Sequence, residues 1–388
     1  MIYIVVLILL LFGIKYDSRL RSKSADRYYI FECIALILLM GLRYHVGGDS
    51  IRYGIYFENS SDFKDILAYG VAQGGFQPGW IVLQALSKTI IDDFAFFQLV
   101  HCSIVVGVIF YLANKHCQHR FTFVALFYFS WYPYFCTEIM RESLAIVFFL
   151  LGIDSLISKK YINYYLMCVV AFLFHAGAAV LFILPFLFRA LSKPSSFKQF
   201  LYISIGVFVV SIMFETILGS LTDFLFSGNQ LLENKSEDLS KSSNLNIYGI
   251  IITIINSFCV FFTYWYLKKS FLSTPYSCFV VSMYLMTIIL SMVFIPLSRL
   301  QNYFVIPFFF VFVDFLYDSI IVRKYKFLLR LSLILFLCSR LSFYVSDVKI
   351  DNPYVKPIKY YQFYYPYHSI INTGIEKERE TFVENQSL

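Results

Sequence analysis

The chain has 388 residues, of which 59% are apolar and only 15% are charged, and its mean hydropathy is +0.67. A soluble domain carries about a quarter charged residues, so these proportions exclude a soluble enzyme and indicate a polytopic membrane protein. The net charge of +7 marks no nucleic-acid partner, because the basic residues sit in connections between apolar runs, where membrane orientation accounts for them.

In hydrocarbon each backbone amide must be satisfied within its own segment or in a closed barrel. The apolar runs here are long and do not alternate, so the expected fold class is all-α, a membrane helix bundle. About twelve segments are expected, roughly 2–14, 28–42, 94–114, 120–137, 142–158, 161–175, 176–190, 199–220, 247–267, 275–295, 303–321 and 325–342. The first has no basic residue ahead of it and no small-x-small site after it, so it reads as a retained helix and not a signal peptide.

Alternate connections are basic. They carry Lys15, Arg19, Arg21, Lys23 and Arg27, then Lys115 and Arg120, Lys159 and Lys160, and Arg189, Lys193 and Lys198; Lys268 and Lys269 follow, and last Arg323, Lys324, Lys326 and Arg330. The positive-inside rule puts these in the cytoplasm. The outer connections are then 43–93, the turns at Thr137 to Arg141 and at His175, 221–246, Pro296 to Asn302, and the tail after Leu341. Residues 1–342 form the membrane domain, with 43–93 and 221–246 as outer loops and 343–388 as an outer, aromatic-rich tail.

The first outer loop opens on Arg43-Tyr44-His45-Val46-Gly47-Gly48-Asp49 and continues through Arg52, Tyr53, Tyr56 and Phe57. An Arg, a carboxylate and two glycines at the end of an apolar run suit a site for an anionic, sugar-bearing lipid. Further on, Phe76-Gln77-Pro78-Gly79-Trp80 is a turn feeding an amphipathic helix from Ile81 to Ile91, with Pro at its start. That helix either covers the bundle or forms a lid over a site.

Thr137 to Ser143 begins the fifth segment. Glu138, Arg141 and Glu142 fall at helical spacing on one face. A charge between two apolar spans is costly unless it faces protein or a wet cavity, so these are functional candidates; the plainer reading is an ion-paired surface turn. Tyr161 to Arg189 has two arms of about 14 residues, or roughly 21 Å each, short of a hydrocarbon core of about 30 Å. His175 between them sits either at the floor of a cavity open outward or buried against a carbonyl. Arg299 and Tyr303 lie on the outer side. Asp314 and Asp318, four apart in an apolar segment, are either functional or paired with Arg323 and Arg330.

The tail holds seven aromatic residues between Tyr354 and Tyr367, either an interfacial anchor or a stacking surface for sugars; after Gly374 it is charged and expected to be disordered. Six of the eight cysteines fall inside apolar runs and read as core residues without a disulfide framework. His116-Cys117-Gln118-His119 reads as a basic turn, because no second ligand cluster accompanies it.

Arg43-Tyr44-x-Val46-Gly47-x-Asp49 with Tyr53 and Phe57 resembles the opening motif of the EpsG-type exopolysaccharide polymerases, relatives of the O-antigen polymerases (Wzy). Four later stretches resemble the same family in order: Phe76-x-Pro78-Gly79, Arg141-x-x-Leu144-Ala145, Ala171-Phe172-x-Phe174-His175, and Arg299-x-x-x-Tyr303. The resemblance implies a glycosyltransferase at the outer face of the bacterial inner membrane, with a cavity of the GT-C kind. It would join oligosaccharide units carried on undecaprenyl diphosphate, without a cofactor, nucleotide sugar or metal. A chain-length regulator and a flippase are the implied partners. This chain departs from the pattern at Gln77, where Glu is expected, and at Glu142, where Gln is.

In that chemistry negative charge grows on a departing diphosphate, which fixed cations stabilise. Arg suits the task because it binds two phosphate oxygens at once. Arg43, Arg141 and Arg299 are therefore the expected diphosphate contacts, with Tyr44 and Tyr303 beside them, meeting over one outward cavity. The acceptor hydroxyl needs a base, for which Asp49 and His175 are the candidates, Asp49 being favoured; Glu142 is a further catalytic candidate. A transporter of lipid-linked oligosaccharide, a flippase, is the alternative; the one-sided arginines and the absence of an internal repeat favour the enzyme.

Overall fold

A computed structural model describes residues 2–17, 22–69, 76–193, 202, 205–206, 258–267, 273–293, 299–348 and 357–386. The described residues are helical, with isolated bridges and no strand. In chain order the helices are α1 (Ile2–Gly13), α2 (Lys23–Gly41), α3 (Gly48–Glu58), α4 (Phe63–Tyr69), α5 (Pro78–Ile90) and α6 (Phe94–His116). There follow α7 (Arg120–Ser130), α8 (Tyr132–Thr137), α9 (Met140–Ile157), α10 (Tyr161–Phe174) and α11 (Leu184–Leu191). The last are α12 (Phe258–Leu267) and α13 (Pro275–Val293), α14 (Leu300–Tyr317), α15 (Ser319–Val345) and α16 (Lys377–Gln386). Most of the expected segments 199–220 and 247–267 and all of the loop 221–246 lie outside the described residues.

Among the described residues, three helical stretches are long and apolar enough to cross a membrane: Phe94–His116, Leu300–Tyr317 and Phe327–Val345. The outward surface agrees with an apolar surrounding. On α10, Ile162, Leu166, Val169 and Leu173 recur at helical spacing and are all exposed. On α1, Ile4, Val5, Ile8, Leu11 and Phe12 are exposed too. Water would not favour such stripes; lipid would.

The chain divides into two compact units, one of Met1–Gly152, Tyr165–Ala179 and Leu337–Leu388, the other of Ile153–Tyr164 and Val180–Phe336. In the first unit α2 lies along α6, and α1 along α7. Polar side chains in this packing are spent on backbone carbonyls: Tyr29 donates to Phe110 O at 2.9 Å, Tyr128 to Tyr3 O at 2.9 Å, and Tyr132 to Leu36 O. In the second unit Phe279 of α13 meets Phe188 of α11 at 5.1 Å, and Tyr284 meets Phe308 of α14 at 4.8 Å. All eight cysteines are free.

The tail departs from expectation. Its charged end forms α16, with Phe382, Val383 and Arg379 buried. Phe382 and Val383 join Ile358, Phe363 and Tyr364 in an apolar cluster that also takes in Val46 and Ile51. Composition suggested disorder because these few apolar residues cannot make a core alone. They complete one supplied from over 300 positions away.

Candidate functional site

The opening motif runs from the end of α2 into α3 through two left-handed residues, His45 (φ 48°) and Gly47 (φ 97°). Such a φ suits glycine and strains histidine. A Cβ on Gly47 would also meet Thr137 Cβ at 2.6 Å, so glycine is required there twice over. The tail holds the loop in this shape. Tyr44 N donates to His368 O at 3.0 Å, Gly47 N to Phe363 O at 2.8 Å, and Ile370 N to Leu42 O at 3.0 Å. Arg379 donates to His45 O, Gln362 O and Pro366 O. Glu380 meets His45 Nδ1 at 2.6 Å.

Arg43 faces inward, only 1% exposed. Nε donates to Val46 O and Ser50 Oγ, Nη1 to Met40 O and Cys102 Sγ, and Nη2 to Ser50 Oγ at 2.7 Å and Met140 Sδ. All three nitrogens are spent on protein atoms, of the turn and of α2, α3, α6 and α9. Tyr44 is half-buried beside it.

Glu138 and Arg141 do not pair, although their spacing suggested a common face. The helix breaks between α8 and α9, so the three-residue spacing rule does not apply across them. Glu138 instead caps α3, accepting from Gly48 N at 3.0 Å and Asp49 N at 3.1 Å. A carboxylate at a helix N-terminus is favourably placed against the free N–H groups and the dipole.

Arg141 opens α9, half-buried. Nη1 donates to Gln77 Oε1 at 3.1 Å and Nε to the Tyr53 hydroxyl at 3.3 Å. Its guanidinium lies 4.7 Å from the Phe76 ring centre and 5.8 Å from that of Tyr53. Both hydrogen-bond partners are neutral, and among the described residues it has no carboxylate and Nη2 has no acceptor. Burial pushes the Tyr53 hydroxyl up from its usual value and the neighbouring guanidinium pulls the other way, so Tyr53 stays protonated. Trp80 at 5.1 Å holds the Tyr53 ring, and Phe97 at 5.0 Å backs Trp80.

Pro78 starts α5 as expected. Gly79 is a close-approach position: a Cβ there would lie 2.8 Å from Leu173 O. That brings the Pro78-Gly79 turn against the end of α10, next to Phe174 and the half-buried His175. Phe174 stacks on Phe148 of α9 at 5.4 Å. Four of the five sequence motifs thus converge in the first unit. Asp49 stands one turn before Tyr53 on α3, half-buried, whereas Glu142 is buried. Arg299 and Tyr303 belong to the second unit, Arg299 exposed ahead of α14 and Tyr303 buried.

Sequence reasoning did not foresee the acceptor role of Gln77, the capping by Glu138, or the clamp of Arg379 and Glu380. The sign available for Gln77 was its departure from the family pattern; nothing local marked the tail residues.

A cavity of about 530 Å³ lies on the other side of α3, between the start of α6 and the tail. Its lining includes Arg43, Ser50, Gly54 and Gln98.

The sequence matches the EpsG family over residues 26–369. No curated protein and no solved structure matches the chain.

Proposed function

Since the chain belongs to the EpsG family, we propose that it is a polysaccharide polymerase of the inner membrane, joining undecaprenyl-diphosphate-linked oligosaccharide units at the periplasmic face. Membership supports a polymerase-type role in exopolysaccharide or O-antigen synthesis; the lipid carrier, the face and the reaction are the proposal. So are the twelve spans and the GT-C-like architecture, of which the described residues supply a helical frame with three long apolar helices.

The observation that carries this reading is Arg141. A half-buried guanidinium held by two neutral acceptors and two rings retains its charge for an external anion. Nη2, without an acceptor among the described residues, and the remaining N–H of Nη1 suit a phosphate, and the aromatic walls keep the group in place. In the proposed reaction the acceptor hydroxyl attacks the anomeric carbon of the donor sugar. The bond from that carbon to the diphosphate oxygen breaks, and undecaprenyl diphosphate leaves with the electron pair. Arg141 takes up the charge that develops on it.

Asp49 is the proposed base for the acceptor proton, because α3 carries it one turn from the tyrosine that holds Arg141. His175, near the Pro78-Gly79 turn, is the second candidate. Glu142, buried beside Arg141 in sequence, stays a third catalytic candidate. Arg43 and Tyr44 are proposed to shape the loop, with Arg43 as a positioning residue. Arg299 and Tyr303 keep a diphosphate-binding role on the strength of the family motif alone.

Arg141→Ala is expected to remain in the membrane yet cut polymerisation by about 10²–10³-fold, the usual loss for a charge-stabilising donor. The lipopolysaccharide or capsule ladder then falls to one repeat unit. Arg141→Lys should fail as well, because an ammonium cannot make the two-pronged contact. A full ladder from the lysine variant would refute that role for Arg141.

A further inference from the structure

Helix α3 has two working faces. Asp49, Tyr53 and Tyr56 lie on one, where Tyr53 meets Arg141 and Tyr56 meets Phe76 at 5.0 Å. Ser50, Ile51, Gly54, Ile55 and Glu58 lie on the other and line the cavity of about 530 Å³, a volume within the ~300–1,000 Å³ of small-molecule sites. From the geometry of this second face we infer that the cavity is a saccharide subsite, taking an uncharged sugar ring of the oligosaccharide unit. The inference rests on the polymerase reading and names where the sugar, as distinct from the diphosphate, is held.

Four features of the lining point to that occupant. Gln98 is 4% exposed and its Oε1 has no hydrogen-bond partner among the described residues. A buried amide oxygen left unmatched costs free energy that a sugar O–H or N–H would relieve. Tyr44, Phe57 and Phe94 bring ring surface to the walls, suited to the C–H face of a pyranose. Glu58, Asp92, Asp93 and Glu380 stand around the same space as acceptors for hydroxyls. Gly54 leaves room: the nearest atoms to a Cβ there would be those of the Phe94 ring, at 3.4 Å.

Other occupants fit less well. An anion is disfavoured by the four carboxylates, and the Arg43 nitrogens that could have offset them are already donating to protein atoms. The same argument rejects acidic sugars and selects neutral or N-acetylated ones. A cation would need converging carboxylates, but three of the four are engaged separately and leave Glu58 alone: Asp92 with Lys88 at 3.8 Å, Asp93 with Ala95 N at 2.7 Å, and Glu380 with His45 at 2.6 Å. An acyl chain would strand the amide and the carboxylates in hydrocarbon.

The test uses the full chain in nanodiscs and two probes, the repeat-unit oligosaccharide released from its lipid carrier and undecaprenyl diphosphate itself. Saturation-transfer NMR reads binding of the first, and thermal stabilisation reads the second. Gly54→Leu, which fills the cavity, and Gln98→Leu should each weaken oligosaccharide binding about tenfold and leave undecaprenyl diphosphate binding unchanged. Arg141→Ala should do the reverse. Unchanged oligosaccharide binding in both cavity variants, or loss of the two probes together, overturns the subsite. Undecaprenyl diphosphate binding that survives Arg141→Ala counts against the polymerase site and leaves the cavity assignment standing.

Discussion

At the scale of single residues, two glycines carry much of the geometry. Gly47 combines φ 97° with a contact that would put a Cβ 2.6 Å from Thr137. Gly47→Ala should therefore lower stability by about 2 kcal/mol, read as a drop in thermal midpoint in detergent; an unchanged midpoint would show that the turn can relax. Gly79→Ala is expected to act differently, pushing the start of α5 from Leu173 and with it Gln77 from Arg141. Its signature is a shortened ladder at normal protein level. The arginine and both glycines were legible as a motif, because their spacing survives in any conformation. That Arg43 turns inward was not, because the partners that consume its donors, Val46 O, Met40 O and Ser50 Oγ, include backbone carbonyls that a sequence does not display. Glu138 was misjudged for a related reason: spacing implies a shared face only where the helix is unbroken.

At the scale of elements, local signals found α5 and α10 with their ends. Pro78 begins one, and the other stops at Phe174, beside the predicted break at His175. Caps supplied from a distance were invisible. Glu138 closes the start of α3, and Asp17 closes the start of α7 by accepting from Phe121 N at 3.1 Å and Thr122 N at 2.7 Å. α16 illustrates the same limit, since its buried residues find their complement in Val46 and Ile51. Deleting residues 375–388 should leave the protein in the membrane but free the loop at His45. The expected result is new protease cleavage between Arg43 and Asp49 together with a collapsed ladder. A protected loop after this deletion would mean that α16 is dispensable for the motif.

For the whole molecule, composition was enough to give helices in lipid, and the exposed stripe of α10 agrees. Which side of the membrane each connection faces is a matter for labelling. Cys338 is exposed and must first be replaced. A cysteine then placed at 175 should react with a membrane-impermeant thiol reagent from the periplasmic side, and reaction only from the cytoplasm would sink the proposed orientation. In a deletion strain, one repeat unit on the lipid core indicates a missing polymerase, whereas none at all points to a transporter. The order of motifs along the chain could be read directly; that four of them come together in the first unit depends on contacts such as Gly79 with Leu173, which only folding creates.

The return of the last residues to the first loop has a consequence for synthesis. His45 is synthesised more than 300 residues before Arg379 and Glu380, so the strained turn has no clamp while the intervening helices are made. A chain cut short near position 370 would contain Arg43, Arg141 and Arg299 and still lack Arg379 and Glu380, which fasten the loop at His45. On the polymerase proposal, the opening loop would gain its working shape only once Arg379 and Glu380 have been made.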